Sequence, residues 1–129
     1  MISRTIAAFL RGRRGAAAAE YALVLPATLF LTLGIFNLSV VLFAISGLNR
    51  VTEAAARYAS VQTALNGADP GAAAVRAFAL SNYAGPIISP AFTYTATGCG
   101  HTVHATGTYT LVTGFAQVPL NLSANACFP

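Results

Sequence analysis

The sequence predicts an α+β fold: a long amino-terminal membrane-spanning helix continues into a small exported domain with a second short helix and about three antiparallel strands. Three observations predict it. Residues Ala16 to Ser46 carry Glu20 as their only charge. Apolar residues then recur at helical spacing as far as Leu65, and beyond Ile87 the pattern changes to Thr, Val, Tyr and Phe with period two.

The apolar run is the dominant feature. Roughly 31 residues give ~46 Å of helix at ~1.5 Å per residue, against ~30 Å of bilayer hydrocarbon. With only 8% charged residues and a mean hydropathy of +0.65, the chain is far from an ordinary soluble domain, where ~25% charge is usual. The net charge of +4 does not indicate nucleic acid. Arg4, Arg11, Arg13 and Arg14 all precede the span, while Arg50, Arg57 and Arg76 balance Glu20, Glu53 and Asp69. No basic surface interleaved with aromatics remains for phosphate backbones. Arginines at one end of a span keep that end in the cytoplasm, so the carboxyl-terminal part is delivered outside.

Three segments follow: a basic leader over residues 1–15, a transmembrane helix over 16–46, and a small exported domain over 47–129. In the continuation "GLNRVTEAAARYASVQTAL", Leu48, Val51, Ala55, Tyr58 and Leu65 share a helical face, and Glu53 to Arg57 is a helix-favouring i,i+4 pair. "NGADPG" stops this helix. Asp69 is read as the N-cap of a second helix from about Pro70 to Tyr83, which Gly85-Pro86 terminates. Strands are expected in "AFTYTAT", "TVHATGTYTLVT" and "FAQVPLNLSA". In the middle one Val103, Ala105, Tyr109 and Leu111 share a face with Gly107 between them. Pro119 makes the last an edge strand or an interrupted one.

Both cysteines, Cys99 and Cys127, fall on the exported side, where an oxidising compartment makes a disulfide the default pairing; two free thiols are the alternative. "CGHTVH" tempts a metal assignment through Cys99, His101 and His104, but on a strand the two histidines face opposite sides and no carboxylate is near in sequence. The acids after Glu20 are better explained by an ion pair and a cap than by orienting a histidine, so the expectation is no enzyme, no metal, no cofactor and no small-molecule substrate.

The amino-terminal segment admits several readings. Its apolar region is long for a cleaved signal peptide, although Ala44-Ile45-Ser46 is a small-x-small sequence; Arg13-Arg14 is a weak twin-arginine signal; an uncleaved anchor is the plainer alternative. A further reading comes from likeness to a family. "RRGAAAAEYALVLPATLFLTLGIF" followed by "FAISGLNRVTEAAARYAS" resembles the TadE-like pseudopilins of tight-adherence pili, relatives of type IV pilins. The likeness rests on a leader ending at Gly15, four residues and then Glu20-Tyr21, the run Ala22 to Pro26, and Ala56 to Ala59. It covers roughly residues 11–60, and Asn37 stands where relatives often have an acid. The resemblance implies cleavage by a prepilin peptidase between Gly15 and Ala16, and assembly with other pilin or pseudopilin subunits through the helix bearing Glu20, Tyr21 and Pro26. It also implies residence in a bacterial inner membrane with the carboxyl-terminal domain outside, or incorporation in a surface pilus. The alternative function is an uncleaved, membrane-anchored periplasmic binding or adhesin-like module.

Glu20 has a physical reading beside that likeness. After such a cut it is the fifth residue, within the first turns of a helix whose amino end favours a carboxylate. In a bundle it can pair with the free amino group of Ala16 on a neighbouring subunit, which is largely cationic at neutral pH. Pro26 removes a backbone donor and frees the carbonyl of Ala22, which predicts a local bend.

Overall fold

A computed structural model describes residues 14–87, 89–112 and 116–129. The elements in order are α1 (Arg14–Asn66), α2 (Gly71–Asn82), β1 (Ala91–Thr97), β2 (Gly100–Val112) and β3 (Gln117–Phe128). The chain divides into two units, Met1–Phe36 and Asn37–Pro129. Residues 1–13 of the expected leader lie outside the described residues.

Within the first unit α1 runs through Pro26. Its threonines hide their hydroxyls on the helix itself: Thr28 donates to the carbonyl of Val24, and Thr32 to those of Thr28 and Leu29, both at 2.9 Å. A hydroxyl bonded in this way can face lipid at little cost. Thr52 and Thr63, further along, do the same to Leu48 at 2.6 Å and Ala59 at 2.9 Å.

The second unit has its own core. From α1 it draws Ala44, Leu48, Val51, Thr52, Ala55, Ala56 and Ala59, all buried. The expected stripe is partly corrected: Leu48, Val51 and Ala55 are core, Tyr58 is half-buried, but Leu65 is 74% exposed. Small residues take the intervening places because alanine lets another element approach the helix backbone closely, whereas Leu65 lies in the last turn. There Gly67, with φ 68°, ends α1 by donating its N–H to the carbonyl of Thr63 at 2.9 Å.

The start of α2 also departs from expectation. Its N-cap is Pro70, with no side-chain capping bond, and Asp69 stands one residue earlier. Gly71 adopts φ 82°, a value open to glycine, so the chain turns tightly before the helix begins, and Asp69 Oδ1 accepts the Gly71 N–H at 2.8 Å. The helix ends at Asn82, before Gly85-Pro86, with Tyr83 already extended. Asn82 and Ser81 both donate to the carbonyl of Phe78 at 2.9 Å. Tyr58 on α1 stacks on Phe78 of α2 with ring centroids 4.3 Å apart, and Tyr83 meets Phe92 of β1 edge-on at 6.3 Å. Burial pushes the Tyr83 phenol's pKa up, and its oxygen accepts the Ile87 N–H at 3.4 Å.

The strands form one antiparallel sheet in the order β1-β2-β3. Val103 and Ala105 are fully buried, Gly107, Tyr109 and Leu111 are half-buried, and Thr106, Thr108 and Thr110 are exposed, as the alternation requires. Gly107 leaves room for Ile87, whose Cγ2 lies 2.7 Å from where a Cβ would stand. Pro119 lies on an edge strand, opposite Thr110. The inner face, with Phe92 and Ala124, closes over the alanine-lined side of α1 and over Val75 and Ala79 of α2.

Candidate assembly segment and the domain behind it

The residues singled out in the sequence separate into two groups. Gly15 and Ala16 fall in the first turn of α1, one and two residues after its start at Arg14. Glu20 follows on the same helix and is exposed, Tyr21 is 72% exposed, and Pro26 lies inside the helix. From Tyr21 to Phe43 the large apolar side chains, Leu23, Phe30 and Phe36 among them, are exposed, except that Val40 and Val41 are half-buried. Burial in the domain core begins at Ala44. The exposed stretch of about 23 residues amounts to ~34 Å of helix, close to the ~30 Å of a bilayer's hydrocarbon. A helix apolar on all sides and left uncovered needs lipid or other apolar helices around it. Glu20 heads this surface. It is the one carboxylate within α1 before Glu53.

The second group lies around the β1–β2 turn. Cys99 and Cys127 are joined in a disulfide with Cα atoms 6.5 Å apart. The pairing follows from register: Thr97 faces Gly100 across the hairpin, and Thr102 faces Cys127 on β3. Thr102 stands against both sulfurs, with Oγ1 3.4 Å from Cys99 Sγ and 3.2 Å from Cys127 Sγ. Gly100, with φ 117°, is required here, since a Cβ would lie 2.4 Å from the carbonyl oxygen of Phe128. Ser60 of α1 donates to the Pro129 carbonyl at 2.6 Å, fastening the end of the chain to the helix.

His101 and His104 are not brought together. His104 lies on the exposed face of β2, with Thr93 and Asn125 as its cross-strand neighbours. His101 stacks on Tyr94 with ring centroids 5.9 Å apart, and its Nδ1 is hydrogen-bonded to the Tyr94 hydroxyl. Tyr94 gives its one hydrogen to Asp69 Oδ2 at 2.9 Å. His101 is therefore the donor, which fixes its hydrogen on Nδ1. The Gly71 N–H and then the Tyr94 hydroxyl hold the Asp69 carboxyl below its usual pKa. Burial, then the hydrogen bond to Asp69 and the charge of that carboxylate, push the Tyr94 phenol up to about 12. Among the described residues no group of three or more His, Cys, Asp or Glu side chains is placed to hold a metal ion. The sequence reading missed Tyr94 altogether, because nothing local in "AFTYTAT" points to an acid 25 residues earlier.

No curated protein and no solved structure matches the chain. The family comparison does find a match, and it falls on the first of the two groups: it begins at the proposed cleavage position and ends within the part of α1 that enters the domain core. Residues 15–57 match the model of the TadE-like protein family, a family of structural proteins associated with tight-adherence pili, in agreement with the likeness read from the sequence.

Proposed function

We propose that this protein is a minor pilin or pseudopilin of a tight-adherence pilus. It is inserted in a bacterial inner membrane with residues beyond 46 outside the cytoplasm. A prepilin peptidase cuts it between Gly15 and Ala16, and other pilin subunits pack against residues 16–46. The observation that carries the reading is the uncovered apolar helix surface from Tyr21 to Phe43 with Glu20 at its head, inside the segment that matches the TadE-like family.

In this role the helix performs two tasks in turn. As a membrane span it stores the subunit in lipid. In the filament its apolar side chains exchange lipid for the helices of neighbours, an exchange with little hydrophobic gain, so van der Waals fit and charge registration select the arrangement. Glu20 supplies the registration: paired with the amino terminus of Ala16 on a neighbour it is neutralised in one axial position, and in other positions it remains an unpaired charge near hydrocarbon. A cut after Ser46, as for a secretory signal, fits the fold less well, because it would remove Ala44 from the domain core.

Mass spectrometry of the membrane-extracted protein tests the proposal. A mature amino terminus at Ala16 is the expected result. An intact Met1 would favour the uncleaved, membrane-anchored binding module, and a start at Gly47 would sink both readings.

A further inference from the structure

Where α1 passes from exposed apolar surface into the domain core, a cleft of about 560 Å³ opens between the helix and the end of α2. Phe43, Ser46, Gly47 and Arg50 line it from α1, with Asn82 from the last turn of α2 and Ala84 from just beyond it. Its chemistry is graded along the helix: an exposed aromatic ring, then a hydroxyl, then a guanidinium. Among the described residues Arg50 makes no hydrogen bond or ion pair, and neither does Ser46. Asn82 has turned its amide nitrogen to Phe78 and Ser81, so Arg50 is the charged group of the cleft.

Its height along the helix identifies what it meets. The lipid-exposed side chains end at Phe43, and Arg50 lies seven residues on, ~10 Å at ~1.5 Å per residue. The headgroup layer on each side of the hydrocarbon is ~5–8 Å deep. Side chains on a helix lean toward its amino end, so an arginine at this position reaches back toward the hydrocarbon boundary, to the depth of the phosphates. A guanidinium presents paired N–H donors that match two phosphate oxygens, and Ser46, one turn nearer the boundary, adds a hydroxyl donor.

We infer that this cleft holds the phosphodiester headgroup of a membrane glycerophospholipid, bound through Arg50 and Ser46, with the upper acyl chain against Phe43. The site seats the domain on the outer surface of the bilayer. The inference rests on α1 as a membrane span and is independent of leader cleavage and of filament packing. Carbonate-resistant membrane association checks the span separately.

The test uses the full chain purified in maltoside micelles doped with one lipid at a time, with retained lipid counted by native mass spectrometry. Phosphatidylglycerol and phosphatidylcholine should both be retained, and a galactosyl diacylglycerol, which lacks phosphate, should not. Arg50→Ala should lower retention about tenfold, Arg50→Lys less, and Arg57→Ala, outside the cleft, should leave it unchanged. Both arginines are exposed, and an intact Cys99–Cys127 disulfide in each variant confirms a folded domain. Equal retention by Arg50→Ala, equal retention of the galactolipid, or displacement of the phospholipid by inorganic phosphate at millimolar concentration would each overturn the inference.

Discussion

Tyr94 on β1 donates its phenolic hydrogen to Asp69 at 2.9 Å, joining the sheet to the turn that starts α2. One carboxylate thereby serves two partners, the Gly71 N–H and the Tyr94 hydroxyl. Asp69 is lowered from its usual pKa in the folded protein, first by Gly71 and then by Tyr94. A group whose folded pKa is depressed adds stability above its unfolded pKa, and that stability is lost as pH falls through the folded one. Asp69→Asn keeps one of the two acceptor oxygens and removes the charge. The gap in melting temperature between wild type and Asp69→Asn should therefore narrow as pH is lowered from 6 toward 2, read by circular dichroism; a constant gap would show that the carboxylate charge is not involved.

Tyr94 gives the opposite window. Its pKa is raised to about 12, so its contribution is fully present below the unfolded phenol value of ~10 and disappears as pH rises through the folded one. Spectrophotometric titration of the five tyrosines should show a late phase near pH 12 that Tyr94→Phe abolishes. Survival of that phase in the variant would assign it to another ring.

Gly107 is sterically committed. A methyl group there would meet Ile87 Cγ2 at 2.7 Å, and Ile87 is a core residue, 3% exposed. Gly107→Ala should cost ~1–3 kcal/mol by overpacking. Combining it with Ile87→Val should recover part of that loss, a non-additivity measurable by urea unfolding in a double-mutant cycle.

The disulfide spans 28 residues of sequence, for which loop closure suggests a contribution of ~3–4 kcal/mol. Replacing Cys99 and Cys127 together by serine should shift the urea midpoint of the domain accordingly, and a reductant should shift the wild type alike while leaving the double variant unmoved.

Glu20→Ala tests assembly apart from insertion. The variant should enter the membrane and acquire the same amino terminus as wild type, yet be depleted from sheared filament fractions. Normal incorporation would remove Glu20 from the registration role.

The parts of this fold legible in the sequence are those encoded by period. The alternation of Val103, Ala105 and Tyr109 against Thr106, Thr108 and Thr110 gave β2 its faces because every second residue repeats one environment. The long apolar run and its basic flank were equally plain. Ranking by hydrophobicity misled at Leu65, which is exposed, and overlooked Ala44, Thr52, Ala56 and Ala59, which are buried, because tight packing against a helix selects for small size as well as for apolarity. The cap at Asp69 was displaced by one residue through the conformation of Gly71. The Tyr94 link and the Arg50 cleft depend on contacts between distant segments, which no local pattern encodes.

The sulfur bridge also fixes how the domain would carry a pull. Tension entering through α1 and leaving at Pro129 passes along β1 to Cys99, crosses to Cys127, and reaches the end of the chain two residues later. The residues between the two cysteines, with nearly all of β2 and β3, lie outside that load path. The sheet can be strained at its β1 edge, but β3 cannot be peeled away from its carboxyl end while the covalent link holds, so extension of this domain under force should be short and should lengthen sharply only after reduction.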